Sequence, residues 1–276
     1  MNYTRAAAEL HITQPAVSQH IHYLEREYKT KLFSYRGKHL QLTPAGHIFW
    51  DAVHAIDQDD TRLRKRLQDM QEHNETLSLG AVDMIAEFGI LDRLAEFLQL
   101  HQDMNLDLRI GNASELLAAV DDGLLDVAIV ESVFDRARYD SLPFSSEPVL
   151  AVCGASYAAP PALQLQDLKA HRLILRERQA GIRQAMENRL GELGMALSDF
   201  PHRYEAGSLH AVKKLASHDC GIAFLYARTV REELLAGTLR TIDIADFSMT
   251  HAFSFLWRKG SMYRALFTRL YDFLKG

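Results

Sequence analysis

Cysteine is scarce: Cys153 and Cys220 are the only thiols in 276 residues. Thiols so far apart in sequence exclude a disulfide framework and cannot alone build a zinc site. Proline (7) and glycine (15) are also few, which excludes collagen-like and low-complexity chains. No apolar stretch approaches the roughly 18 residues a membrane span needs. No secretory signal is visible at Met1-Asn2-Tyr3-Thr4-Arg5. A cytoplasmic protein with no membrane partner is therefore expected. Enzyme signatures are missing too. No glycine-rich phosphate loop of the usual spacing occurs. His20 and His22, two apart on a helix, face different ways and make a poor metal pair. His218-Asp219-Cys220 are chain neighbours, whereas a catalytic relay needs groups that meet in space. Asp219 and Gly221 read more simply as a helix end, with Cys220 as a small apolar residue. No enzyme, cofactor or metal is expected.

What remains is an ordinary globular composition, 47% apolar and 24% charged, long enough for about two domains. The net charge of −5 is unevenly spread, because residues 1–42 carry six Lys or Arg against three Glu. A weakly basic head on an acidic body points to an anionic partner at the head only.

The head holds the most informative pattern. Thr4 is a candidate cap for a short alanine-rich helix ending near His11. Thr13 is the next cap, with Pro15 in the first turn, where a missing N–H is harmless. Val17, Ile21, Leu24 and Tyr28 then recur at helical spacing and predict a buried stripe; Ser18, Gln19, His22 and Arg26 take the other face. Ile12 and Val17 are expected inside. Two helices joined by a three-residue turn fit a helix-turn-helix, and on pattern alone fit a plain amphipathic hairpin equally well. Residues 32–42 follow as a two-stranded wing whose turn, Arg36-Gly37-Lys38, puts cations at the tip.

The run Thr4-Arg5-Ala6-Ala7-Ala8-Glu9-Leu10-His11-Ile12-Thr13-Gln14-Pro15-Ala16-Val17-Ser18-Gln19, with Leu24-Glu25, Leu32-Phe33 and Leu42-Thr43-Pro44-Ala45-Gly46, resembles the winged helix-turn-helix of LysR-type transcriptional regulators. The resemblance extends over essentially the whole chain. It implies a homodimer or homotetramer that binds promoter double-stranded DNA and senses a small-molecule effector. It also implies that Thr13, Gln14, Pro15, Ser18, Gln19, His22, Arg36 and Lys38 face the DNA. In the family another helix precedes the one beginning at Thr4; the resemblance implies that this helix is absent after Met1 and that translation starts upstream. The alternative function is then a metabolite-binding or oligomerising module with impaired DNA binding.

Three domains are expected: a winged helix-turn-helix over 1–43, a linker helix over 44–75 and an effector domain over 76–276. In the linker, Ala45, Phe49, Ala52, Ile56, Leu63 and Met70 make a heptad-like seam with Asp59 and Arg66 at the skipped positions. The resemblance makes this helix the dimerisation element. The remainder alternates strand and helix as an α/β domain does. Strands are expected over 77–82, 106–110, 126–131, 173–175, 221–225 and 252–257, and helices over 86–100, 114–120, from 181, 208–216 and 261–275. By resemblance this is a two-subdomain, periplasmic-binding-protein-like fold, one part over about 77–152 plus the C-terminus and the other over about 153–247. Its cleft lies at strand-to-helix junctions. The candidate effector residues are Asp83, Met84, Ser114, Glu131 (with Ser132 beside it), Arg178, Ile182 and Ser208. Family members often have hydroxyl residues at the first junction and in the 178–182 loop, where this chain has Val82-Asp83-Met84 and Ile182. The usual carboxylate effector loses donors here. Asp83 and Glu131 would repel it, while Arg176, Arg178 and Arg183 could compensate; a different effector, or none, is the implied alternative.

Overall fold

The computed structural model describes residues 2–37, 39–72, 75–131 and 133–276. They form two compact units, Met1–Leu67 and Gln68–Gly276.

The first unit begins with α1 (Tyr3–Glu9) and α2 (Gln14–Glu27). Asn2 rather than Thr4 caps α1, its Oδ1 accepting the Thr4 amide at 2.8 Å. Thr4 already lies within the first turn, so its hydroxyl is past the cap position. The helix stops at Glu9, short of the expected His11, which takes a left-handed φ of 54° in the turn. Thr13 caps α2 as expected, accepting from the Ala16 amide at 3.4 Å. Val17 is buried and Ile21 and Leu24 half-buried, but Ile12 and Tyr28 are exposed. Ile12 sits in the inter-helix turn. Tyr28 rests edge-on against Phe49, 4.9 Å between ring centroids, a contact that covers only one side of a ring.

The wing forms as expected from β1 (Phe33–Arg36) and β2 (His39–Leu42), antiparallel with Phe33 opposite Leu42. Gly37 adopts the left-handed φ of 65° that the turn requires. α3 (Pro44–Glu72) follows. Thr43 ties it to the wing: its Oγ1 donates to the Lys31 carbonyl at 2.5 Å and accepts the Gly46 amide at 2.9 Å. A Cβ at Gly46 would lie 2.0 Å from the Leu32 carbonyl oxygen. The Thr43-Pro44-Ala45-Gly46 run therefore lets helix and wing backbones touch.

In the second unit, β3 (Glu75–Ala81) leads into α4 (Asp83–Ile85), a π turn (Ala86–Ile90) and α5 (Leu91–Leu100). The helix thus starts three residues earlier than expected. Then come β4 (Met104–Ile110), α6 (Ala113–Asp121), β5 (Val127–Glu131), β6 (Tyr139–Gly154), β7 (Ala162–Leu163), β8 (Leu173–Arg176) and α7 (Gly181–Glu192). They are followed by β9 (Arg203–Ala206), α8 (Leu209–Ser217), β10 (Ile222–Tyr226), α9 (Arg231–Leu235), β11 (Leu239–Ile244), β12 (Met249–Arg258) and α10 (Arg264–Lys275). The sheet order is β4-β3-β5-β12-β6-β10-β8-β9, with β11 against β6 and β7 against β11. Strands β3, β4 and β5 are parallel, as are β8, β9 and β10.

The long β6 was not foreseen, and it joins the two halves. From Tyr139 to Val149 it pairs antiparallel with β12; from there on it pairs with β10 and β11. The boundary expected near residue 152 is therefore a shared strand rather than a break. Leu79, Ile85, Leu116, Ile129, Phe253, Phe255 and Phe267 are almost fully buried. Each such side chain contributes about 1.5–3 kcal/mol when taken from water, so the β3–β5 half is a well-packed platform for the loops at its strand ends.

Candidate functional sites on the head and in the cleft

Two surfaces gather the candidate residues. On the head, Thr13, Gln14, Pro15, Gln19 and His22 are exposed along α2 and its cap, and Ser18 is half-buried. The Gln14 Nε2 donates to Ser18 Oγ at 3.0 Å, which holds the amide against the helix start. Pro15, Ser18, Gln19 and His22 line an open groove of about 870 Å³ that runs past Arg26 to Lys29 and Lys31. This face combines amide, hydroxyl and imidazole groups with cations, the groups that read base edges and hold phosphates. Arg36 is exposed at the end of β1; Lys38 lies outside the described residues, as do the side chains of Arg66 and Met70.

Sequence reading overlooked Glu25. It is 8% exposed, although it belongs to an otherwise polar helix. Its Oε1 accepts the amides of Leu32 at 3.0 Å and Phe33 at 3.5 Å, and its Oε2 meets Lys31 Nζ at 2.6 Å and His22 Nδ1 at 3.4 Å. Burial pushes its carboxyl upward, yet these donors prevail and hold it down at about 2. Glu25 thus clamps α2 to the strand entering the wing. In sequence it stands only as part of the Leu24-Glu25 pair of the family run, with no spacing that announces its burial.

In the second unit, the carboxyl ends of β4 and β5 face the start of α7 across a cleft of about 420 Å³. Asn112, Ser114, Glu131, Gln184, Asn188 and His251 are among its walls. A smaller cavity beside it, about 20 Å³, is lined by Asp83, Met84, Arg176, Ile182 and Tyr226, with Glu131 shared between the two. Asp83 and Arg176 bridge the halves at 2.9 Å, and Arg176 also holds Glu177 at 2.8 Å. Both acids keep the guanidinium charged against the cost of its burial. Arg183 is committed to Glu187 at 2.7 Å, to Glu205 at 3.5 Å and to the Arg176 carbonyl at 3.1 Å. Tyr226 shares its hydroxyl with His251 Nδ1 at 2.7 Å, and burial lowers the His251 pKa.

The family model described as "LysR substrate binding domain" matches residues 70–276, and "Bacterial regulatory helix-turn-helix protein, lysR family" matches residues 1–47. The chain belongs to the LysR family of transcriptional regulators. It is similar to the RuBisCO operon transcriptional regulator of Allochromatium vinosum, 27% identical over 261 residues that cover 94% of this chain and 85% of that one. Its fold is similar to a Corynebacterium glutamicum OxyR variant with hydrogen peroxide bound, at TM-score 0.65 and 18% identity, covering 99% of this chain and 87% of that one. It is also similar to the regulatory domain of Synechocystis CcmR in complex with 2-PG, at TM-score 0.64 and 20% identity, covering 73% and 96%. This LysR-family chain is accordingly a transcriptional regulator with a DNA-binding and an effector-binding domain, not an enzyme. Both models match it, so a module without DNA binding is not favoured. Among the described residues, no helix is long and apolar enough to cross a membrane, and no group of His, Cys, Asp and Glu could hold a metal.

The structure distributes the sequence candidates of this regulator unevenly. Ser114 and Glu131 line the larger cleft, and Asp83, Met84, Ile182 and again Glu131 the smaller cavity. Arg178 is exposed and lines neither. Ser208 spends its hydroxyl on capping α8, accepting the Ala211 amide at 3.1 Å. Ser132 lies outside the described residues. The cleft residues not foreseen are Asn188, Gln184 and His251, which α7 and β12 bring in from distant sequence.

Proposed function

We propose that this regulator lays α2 in the major groove of promoter DNA, with Gln14, Ser18, Gln19 and His22 toward base edges and Thr13 and Pro15 at the helix start beside the phosphates. Arg36 and Lys38 on the wing contact the backbone. The observation that carries this is the exposed Gln14–His22 face of a helix whose other side is fastened to the wing through Glu25. The working divisions are residues 1–43 for DNA, 44–75 for the linker and 76–276 for the effector. The effector site comprises the cleft residues Ser114 and Glu131 with the adjoining Asp83, Met84 and Ile182, without Arg178 and Ser208, which line neither cavity. The CcmR domain similar in fold carries 2-PG, which favours a small molecule at the equivalent place here. The site of action is the cytoplasm, where the chromosome is.

A homodimer or homotetramer through α3 is part of this reading. Ala52, Ile56 and Leu63 of the expected seam are exposed along that helix, four and seven residues apart, and apolar side chains in such a row stay soluble when a second copy covers them. Two recognition helices one turn apart then call for a pseudo-palindromic site. The deciding experiment is a gel shift against the chain's own upstream promoter across salt, with Q19A and R36A. Q19A is expected to relax sequence preference, whereas R36A lowers affinity evenly and reduces the salt slope. Equal losses of both kinds in the two variants would contradict the assigned roles.

A further inference from the structure

The described walls of the effector cleft carry acids and neither Lys nor Arg. Among the described residues lining the 420 Å³ cleft, none is Lys or Arg, while Glu115 and Glu131 are both present. The three arginines expected from the sequence to compensate do not supply the missing charge: Arg176 is taken by Asp83 and Glu177, Arg183 by Glu187 and Glu205, and Arg178 lines neither cavity. Of the neutral amides in its walls, Gln184 and Asn188 offer carbonyl acceptors, whereas Asn112 Oδ1 already accepts the Glu115 amide at 3.0 Å in capping α6.

Two helix starts face this space and would by themselves favour an anion. Each already has a carboxylate of the chain. Glu115 stands in the first turn of α6. The Glu131 Oε1 lies against Gly181, the first residue of α7, so closely that a Cβ there would be 1.8 Å away. The other oxygen of the same side chain, Oε2, is buried and has no hydrogen-bond partner among the described residues. An unpartnered carboxylate oxygen out of water is costly, and a ligand with N–H donors relieves that cost. A carboxylate or phosphate ligand would add to it.

We propose that the cleft of this regulator takes a small protonated amine, with its ammonium group donating to Glu131 and the neighbouring amide carbonyls. The inference rests on the reading of the cleft as the effector site and names the chemical class that site accepts. Burial and the nearby Asp83 push the Glu131 carboxyl upward, as expected for an acid whose partner is not in place.

The test uses the full chain and three probes with one five-carbon skeleton: cadaverine, glutarate and 1,5-pentanediol. Binding is followed by ligand-detected NMR at matched low ionic strength. Cadaverine is expected to bind at least about tenfold more tightly than either of the others, and E131Q to remove most of that preference. D103N, which neutralises an exposed acid at the opposite end of β4 from the cleft, controls for net charge and is expected to leave it intact. Glutarate binding as tightly as cadaverine would overturn the charge assignment while leaving the cleft a ligand site. Cadaverine binding that E131Q leaves unchanged would show association with the acidic surface and equally overturn the proposal. Failure of all three probes to bind, in wild type and E131Q alike, would count against the cleft as a receptor and take the proposal with it.

Discussion

Replacing Glu25 by glutamine tests the idea that a buried carboxylate holds the recognition helix to the wing. Gln keeps an acceptor for the Leu32 amide but loses the charge that meets Lys31 at 2.6 Å and strengthens the bonds from the Leu32 and Phe33 amides. Hydrogen bonds to a charged group contribute about 1.5–3 kcal/mol each, neutral ones about 1. Removing the charge from all three contacts, at about 0.5–1 kcal/mol each with the exposed Lys31 at the low end, costs about 2 kcal/mol at neutral pH. In a unit of this size that lowers Tm by about 10 °C. The chain has two tryptophans, Trp50 and Trp257, one in each unit. With Trp257→Phe as a common background, Trp50 fluorescence follows the head alone during thermal unfolding. The sign of the pH dependence is set by the carboxyl lying at about 2 against an ordinary 4.5. Its stabilisation is fully present above the ordinary value and fades as pH falls toward the lowered one. The gap between wild type and E25Q should therefore be widest near neutrality and narrow steadily in acid. Equal melting of the two proteins near neutrality, or a gap that widens in acid, would refute the clamp.

Further predictions follow from the second unit. G181A drives a Cβ into Glu131 Oε1 at 1.8 Å and should destabilise by about 1–3 kcal/mol. G191A in the same helix, with nothing within 4 Å of its Cβ, should be neutral or stabilising by up to about 1 kcal/mol; urea unfolding compares them. D83N removes the bridge between the halves. Because Asp83 is about half-exposed (44%), the stability loss should stay below about 1 kcal/mol, while hydrogen exchange rises at the 176–183 loop. G46A, whose Cβ would meet the Leu32 carbonyl at 2.0 Å, should lower promoter affinity and the head's Tm together.

Local chemistry was readable in the chain itself. The Thr13 cap, Pro15 in the first turn, the glycine turn of the wing and the strand alternation each depend on residues within a few positions of one another, so spacing placed the two helices and the wing, while the family resemblance made the pair a helix-turn-helix. The α/β alternation likewise placed most elements of the second unit. Tertiary structure decided the rest. A carboxylate at position 25 reads as solvated until Leu32 and Phe33 fold back upon it. Nothing in residues 139–154 announces a strand that serves two halves, because its partners lie near residues 222–226, 239–242 and 249–258. Two of the three arginines expected to meet an anion, Arg176 and Arg183, are already paired with acids, the first by Asp83 from 93 positions away. Charge pairing of that kind depends on distance in space, which no spacing along the chain encodes.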